Sequence, residues 1–147
     1  PEARRRLERE PGLAAQVGEE VLRCEPIVPV LARERATSLE IEGVEIPAGR
    51  PFWLSILAAN RDPRVFDDPD RFDVAREGPH SFSFGWGAHR CLGAAFARAE
   101  IQEALPAFFA CLSKVELLVD EPRWVPFANL RRLEALPIAF EPGPGLR

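Results

Sequence analysis

The sequence lacks the features that mark secreted, membrane-spanning and nucleic-acid-binding proteins. No apolar run approaches the roughly 20 residues that a membrane-spanning helix needs, and no signal peptide opens the chain. Cysteine is scarce: Cys24, Cys91 and Cys111 are an odd number and widely spaced, which argues against a disulfide framework. The net charge of -4 favours neither a nucleic-acid role nor a polybasic membrane surface. The cysteine pattern favours a reducing compartment, and we expect the cytoplasm.

The chain also lacks an initiator methionine, because it begins with Pro1. Its 147 residues are 46% hydrophobic and 29% charged, which suits one globular domain with its own core. No biased tract indicates disorder, and no internal repeat is visible. We therefore expect residues 1–147 to form a single domain, incomplete in that its true N-terminus is missing.

Apolar residues at helical spacing predict a helix from Pro1 to about Cys24. Leu13, Val17 and Val21 recur every four positions and would form one apolar face of this helix. The prolines that follow would end it.

The next segment favours β-structure. Residues 28–36 are expected to be extended, and residues 39–46 alternate apolar and charged side chains around a Glu42-Gly43 turn, which predicts a hairpin. Residues 51–59 are apolar enough for a buried strand. Further extended segments are predicted near the C-terminus, at 115–119 and, as a hairpin around Ala128 and Asn129, at 124–140.

Between these β segments the chain alternates helix and irregular structure. Asp62-Pro63 resembles an N-cap followed by a proline in the first turn, which predicts a short helix through Phe66. Residues 67–81 have no period and predict an irregular meander. A second long helix is predicted from Leu92 towards Cys111, with a kink or an early end at Pro106. The predicted fold class is α+β, mainly helical.

The most informative stretch is a glycine-rich loop that carries a cysteine to the start of this second helix. Phe84, Gly85 and Gly87 predict a tight, sterically bare turn, because glycine takes positive φ angles at little cost. At a helix N-terminus the unpaired N–H groups and the dipole favour a thiolate at Cys91. Gly93 leaves room for a flat ligand beside the backbone. These residues predict an anionic cysteine that binds a ligand.

Other interpretations of the same cysteine stay open at this level. It could be a buried cysteine in a glycine-rich turn. It could bind zinc together with His89, although His80 and the two distant cysteines form no recognisable ligand pair. It could also be a nucleophile with His89 as base, but residues two apart in a loop seldom place both groups productively.

A family resemblance separates these possibilities. The pattern Phe84-x-x-Gly87-x-x-x-Cys91-x-Gly93 resembles the haem-binding motif of the cytochromes P450, and of their bacterial, soluble members in particular. Similar motifs follow the family's order elsewhere: Glu20-x-x-Arg23, the meander at 60–72 and the tail at 133–140. The resemblance covers essentially the whole chain. It implies the C-terminal, haem-binding third of the P450 fold, with small hairpins and an irregular meander leading to the cysteine-ligand loop.

The resemblance implies a role for each matched residue in binding haem b, iron protoporphyrin IX. Cys91 would be the axial thiolate ligand of the iron, a donor known to favour O–O cleavage. The backbone N–H groups after it would hydrogen-bond the sulfur. His89 and Arg33, or the nearby Arg35, would hold the haem propionates, and Phe84 would shield the sulfur from water. The residues expected to contact the cofactor are Cys91, His89, Arg33, Phe84, Gly85 and Gly93.

The resemblance also implies a buried structural triad of Glu20, Arg23 and Arg71, which would join the first helix to the meander. Buried charges are tolerated only when they are paired and hydrogen-bonded. An exposed helical ion pair between Glu20 and Arg23 is the alternative. Cys24 and Cys111 are expected to be structural.

The implied activity is that of a haem-thiolate monooxygenase, which inserts one oxygen atom from O2 into a small, lipophilic organic substrate. The segment with Val28 and Val30 and the turn at Ala128-Asn129 would line the substrate pocket. Electrons would come from a ferredoxin-type donor, docked on a basic patch. The arginines expected to form that patch are Arg90 and Arg98.

Some features put the activity of this chain itself in doubt. The family's oxygen-activating helix would lie upstream of Pro1, so we expect the fragment alone to be inactive. A non-catalytic haem-binding or structural remnant of the same fold is the competing interpretation. Arg90, Pro106 and Arg132 depart from the residues that the family commonly has, although none occupies a defining position.

Overall fold

The computed structural model describes residues 2–78, 80–126 and 130–146, and within them it confirms an α+β fold with small antiparallel sheets. The helices are α1 (Glu2–Arg9), α2 (Ala14–Cys24), α3 (Ile56–Ala59) and α4 (Ala94–Cys111). The strands are β1 (Val30–Arg33), β2 (Leu39–Ile41), β3 (Val44–Ile46), β4 (Phe52–Ser55), β5 (Leu112–Leu117) and β6 (Ile138–Pro142). Across these residues no helix combines the length and apolarity that crossing a membrane would demand.

The apolar core is small and lies between α1, α2, α4 and the meander. Its buried members are Leu7, Ala14, Val17 and Val74. Val21 is 45% exposed, so the predicted apolar face of the first helix is wrong at its end. Residues four apart in the sequence differ by about 40° around the helix axis. Over two such steps, this rotation moves Val21 out of the buried face. Beyond Val17, the buried face of α2 includes the charged residues Glu20 and Arg23.

The segment predicted as one helix up to Cys24 forms two helices, α1 and α2. A 3-10 turn at Pro11–Leu13 separates α1 from α2, because Pro11 has no backbone N–H to continue the hydrogen-bond ladder of α1. In the second long helix, by contrast, a proline does not end the helix. α4 continues through Pro106 to Cys111, so the predicted early end is wrong.

The sheets confirm part of the β prediction. β2 and β3 pair as the predicted hairpin, with Glu42 and Gly43 at positive φ in the turn. The predicted buried strand at 51–59 is wrong: β4 is largely exposed and ends at Ser55, whose hydroxyl accepts the Ala58 N–H at 3.2 Å and starts α3. The predicted helix after Asp62 is a single turn, in which the Asp62 carbonyl accepts the Phe66 N–H.

The C-terminal β segments are shifted from their predicted places. β5 begins at Leu112, three residues before the predicted start, and pairs with β6. In the described residues, the predicted 124–140 hairpin is present as an antiparallel bridge between Trp124 and Leu133. Its turn at Ala128-Asn129 lies outside the described residues.

Helices α2 and α4 approach each other at Gly18. A Cβ atom added there would lie 2.5 Å from Cγ2 of Ile101 on α4, closer than any real contact. We expect a Gly18→Ala variant of the full-length protein to lose about 1–3 kcal/mol of unfolding free energy, because the crossing must open. Urea denaturation measures this loss. Gly12→Ala is the matched control, since its added Cβ meets nothing within 4 Å; equal stability of the two variants would contradict the prediction.

Candidate functional site

The cysteine loop is built from two 3-10 turns, Phe82–Phe84 and Gly87–His89, joined through glycines at positive φ. Gly85 has φ of 70° and donates its N–H to the Phe82 carbonyl at 2.7 Å. The Cys91 N–H donates back to the Phe84 carbonyl at 2.8 Å, which closes the loop on itself. The predicted tight turn is confirmed.

The loop places Cys91 just before the first turn of α4. The Ala94 N–H donates to the Cys91 carbonyl at 3.3 Å, and Gly93 is the N-cap residue. The Leu92 and Gly93 N–H groups donate to no protein acceptor in the described part of the chain, and neither donates to the Cys91 sulfur. The Cys91 side chain itself is exposed.

Cys91 opens onto a groove of about 300 Å³ between the loop, the end of α2, β1 and α3. We call it the Cys91 groove. Its apolar wall consists of Leu22, Ile27, Val28, Leu31, Ile56 and Phe84. Its polar groups are contributed by Cys91, His89, Arg33 and Ser83. Five of the six residues predicted to contact a cofactor line this one groove: Cys91, His89, Arg33, Phe84 and Gly85.

The groove also separates alternatives that the sequence left open. Arg33 lines it, whereas Arg35 lies beyond β1, is exposed and contacts Thr37 at 3.4 Å. Val28 lines the groove, whereas Val30, also predicted for the substrate pocket, does not. Side chains alternate along a strand, so Leu31 and Arg33 face the groove and Val30 faces away. The predicted pocket residues Ala128 and Asn129 lie outside the described residues.

The chemistry of the groove fits a haem. A soft sulfur donor stands at one end, apolar side chains supply a wall for a flat macrocycle, and an arginine and a histidine can pair with carboxylates. Gly93 adds no obstruction, since a Cβ built there would meet only the Cys91 sulfur, at 4.0 Å. Among the described residues no three His, Cys, Asp or Glu side chains are grouped to hold a metal ion, so the zinc interpretation finds no support there.

A buried ion cluster centred on Arg23 lies between α2 and the meander. Arg23 and Glu20 are 2% and 4% exposed, so the exposed-pair alternative is wrong. The Arg23 guanidinium donates to both Glu20 carboxylate oxygens at 2.8 Å, and to the carbonyls of Asn60, Pro69 and Arg71 at 2.6–3.0 Å. The cluster therefore joins α2 to the meander.

The third member of the cluster is Arg76, and the prediction of Arg71 is wrong. Arg76 Nε donates to Glu20 Oε1 at 3.2 Å, and its side chain is 15% exposed. The Arg71 side chain is 68% exposed and turns towards Asp73, so Arg71 contributes only its carbonyl. Both arginines lie in an irregular segment, and no sequence period indicates which one points inward.

Asn60 connects this cluster to the cysteine loop, a role that the sequence did not indicate. Asn60 is fully buried and donates from Nδ2 to the Arg23 carbonyl at 3.1 Å and to the Ser83 hydroxyl at 2.9 Å. Its Oδ1 accepts the Phe82 N–H at 2.7 Å, and Ser83 donates to the Leu22 carbonyl at 2.5 Å. The start of the loop is therefore held directly on α2.

The charges of the cluster alter the titration of Glu20. Burial raises the pKa of its carboxyl group, but hydrogen bonds from Arg23, the Asp73 backbone and Arg76 outweigh burial. The pKa is therefore held below its ordinary value of 4.5.

The two arginines predicted to form a docking patch differ in their surroundings. Arg90 is exposed beside Trp86, which is 80% exposed. Arg98 is only 21% exposed and is paired with Glu19 of α2. Within the part of the chain that the structure describes, only Arg90 of this pair is a solvated cation.

Comparison with known proteins agrees with this site. The family model described as Cytochrome P450 matches residues 12–121. Luteothin monooxygenase of Streptomyces thioluteus is 42% identical over 143 residues, covering 95% of this chain and 35% of that protein. The biotin biosynthesis cytochrome P450 of Bacillus subtilis is 38% identical over 141 residues, covering 96% of this chain and 36% of that protein.

Solved structures show the same relationship. The cytochrome P450 CYP109Q5 from Chondromyces apiculatus superposes with a TM-score of 0.92 and 33% identity, covering 97% of this chain and 37% of that one. The chain spans about a third of the length of the curated relatives that it matches. The matched motif, the overall similarity and the groove at Cys91 agree, and the chain belongs to the cytochrome P450 family.

Proposed function

We propose that this chain supplies the proximal haem-binding part of a haem-thiolate monooxygenase, and corresponds to the C-terminal portion of that enzyme. The main supporting observation is that Arg33 of β1 lines the same apolar groove as His89 and Cys91 of the cysteine loop, although β1 and the loop are far apart in the sequence. The cofactor of the family is haem b. Bound haem would supply the iron at which O2 is reduced, so that one oxygen atom enters an organic substrate and the other leaves as water.

The chain's own residues would prepare the cofactor's proximal side. Cys91 would bind the iron through its thiolate. The N–H groups of Leu92 and Gly93, which donate to no acceptor in the described part of the chain, would donate to that sulfur and limit its electron donation. Phe84 would cover the sulfur against water. Arg33 and His89 would pair with the haem propionates and fix the orientation of the macrocycle.

Arg33 provides a test with a matched control two residues away. Arg33→Ala in the full-length gene product should weaken haem retention by about ten- to a hundredfold, because a charge-assisted hydrogen bond to a propionate contributes about 1.5–3 kcal/mol. Arg35→Ala should leave retention unchanged, since Arg35 lies outside the groove. Transfer of haem to an excess of an apo-globin acceptor measures the dissociation rate. Equal rates for the two variants would contradict the assignment of Arg33.

The apolar wall favours a small, lipophilic substrate, and Val28 is the wall residue that we propose to contact it. We propose a ferredoxin-type electron donor that docks beside the exposed Arg90 and Trp86. A cytoplasmic location remains a prediction. The competing function is a non-catalytic haem-binding or structural remnant. It predicts that the complete gene does not encode the family's oxygen-activating helix, which carries an acidic residue and a threonine.

The proposed function is tested by the absorption spectrum of the full-length gene product, reduced and bound to carbon monoxide. A red-shifted Soret band of the kind that thiolate ligation gives is the expected result. Haem-free protein, or a Soret band without the red shift, would refute the proposal.

A further inference from the structure

We propose that Arg98 is a positioning residue for the haem-ligating loop, acting through Phe84, and that it is not part of the electron donor's docking surface. This inference rests on the proposed function of Cys91. The observation that carries it is the place of Arg98 between a carboxylate of α2 and the ring of a loop residue.

Arg98 joins three parts of the site. Its Nε and Nη2 contact the two carboxylate oxygens of Glu19 on α2, the second at 3.2 Å. Its guanidinium carbon lies 4.7 Å from the centre of the Phe84 ring. A planar guanidinium can hold a carboxylate at its edge and an aromatic ring at its face at the same time. Arg98 therefore fixes the distance of Phe84 from α2.

Phe84 is linked to the proposed haem ligand, Cys91, by a backbone hydrogen bond and by the groove that both residues line. Its carbonyl accepts the Cys91 N–H at 2.8 Å, and its side chain lines the Cys91 groove. On its other side it lines a surface cleft of about 440 Å³, which we call the outer cleft, together with Arg98, Trp86 and Arg90. Arg98 lines the outer cleft and not the Cys91 groove, so it supports Phe84 from the side away from the proposed haem.

The charge and burial of Arg98 do not suit a docking cation. Its side chain is 21% exposed, and the Glu19 carboxylate offsets its charge. His80 also approaches Glu19, with Nδ1 3.6 Å from Oε2, but the His80 side chain is 80% exposed and leaves Arg98 as the main partner. Arg90, in contrast, is exposed on the same cleft. The two arginines therefore have separable functions.

The two assignments predict opposite results for Glu19. If Arg98 positions the loop, Glu19→Gln removes its anchor and should disturb the haem ligand as Arg98→Ala does. If Arg98 docks the donor, Glu19→Gln frees its charge and should strengthen binding of an acidic donor. Arg98→Lys keeps the charge and the contact with the ring, but not the fork, and should restore part of the wild-type behaviour.

The experiment compares full-length wild type, Arg98→Ala, Arg98→Lys, Glu19→Gln and Arg90→Ala, each loaded with haem. The first measurement is the rate at which the reduced, carbon-monoxide-bound protein loses its red-shifted Soret band. The second is the KM for a plant-type ferredoxin supplied with its reductase. We expect Arg98→Ala and Glu19→Gln to lose the band about tenfold faster, with KM within about twofold of wild type. Arg90→Ala should keep the wild-type band and raise KM.

Each outcome decides between the two functions. A raised KM with an unaltered band in Arg98→Ala, or a lowered KM in Glu19→Gln, would overturn the inference. Should Arg98→Ala not fold, Glu19→Gln and Arg98→Lys still separate the assignments. A wild-type protein that never shows the band refutes the proposed function itself, and the inference with it. A wild-type band that all variants retain equally overturns only the inference.

Discussion

An Arg23→Met variant is expected to lose about 3–5 kcal/mol of unfolding free energy, because Glu20 would remain buried without its main partner. Arg23 is 2% exposed and donates to Glu20, to its neighbour Cys24 and to three carbonyls from Asn60 and the meander. Removing it strands several buried acceptors at once. Urea denaturation of the full-length protein, followed by circular dichroism and haem absorbance, measures the loss.

Arg71→Ala is the matched control for this prediction. The Arg71 side chain is 68% exposed, and only its carbonyl takes part in the cluster, so its loss should stay within about 0.5 kcal/mol. Arg76→Ala should be intermediate, since Arg76 donates a single bond to Glu20. Arg23→Met as stable as Arg71→Ala would show that the cluster does not hold the fold.

The same cluster should make stability depend on pH in the acid range. The folded-state pKa of Glu20 lies below its ordinary value of 4.5, so the unfolded chain takes up its proton first as pH falls. The contribution of Glu20 is therefore complete above about pH 4.5 and is lost as pH falls through the folded-state pKa. The stability difference between wild type and Glu20→Gln should be constant near neutrality and shrink in acid. A difference that grew in acid would contradict this sign.

Replacing Cys91 by serine should remove the red-shifted Soret band completely, because a serine hydroxyl is neither ionised nor a soft donor at neutral pH. Cys111→Ser is the control: Cys111 is half-buried at the far end of α4 and does not line the Cys91 groove. It should keep the wild-type spectrum. A Cys91→Ser variant with an unaltered band would place the iron ligand elsewhere.

The conformation of the loop could be predicted from the sequence because it depends on residues that are close together in the chain. Gly85 and Gly87 take the positive φ angles that a tight turn requires, and the following residues begin a helix. The place of Cys91 at that helix start follows from these local features. The alternation of β1 likewise determines that Arg33 and Leu31 share a face.

The parts that could not be predicted depend on contacts between distant segments. Arg76 replaces Arg71 because of how an irregular meander turns its side chains, and no period encodes that turn. Asn60 gains its role only when α2 and the cysteine loop meet around it. Arg98 looked like a surface cation because its partner Glu19 lies 79 residues away in the sequence.

Iron K-edge X-ray absorption of the full-length, haem-loaded protein tests the central claim most directly, since it reports the atoms bound to the iron. One sulfur neighbour in the wild type and in Cys111→Ser, and none in Cys91→Ser, is the predicted result. An iron with only nitrogen and oxygen neighbours in the wild type, or a sulfur neighbour that persists in Cys91→Ser, would contradict it.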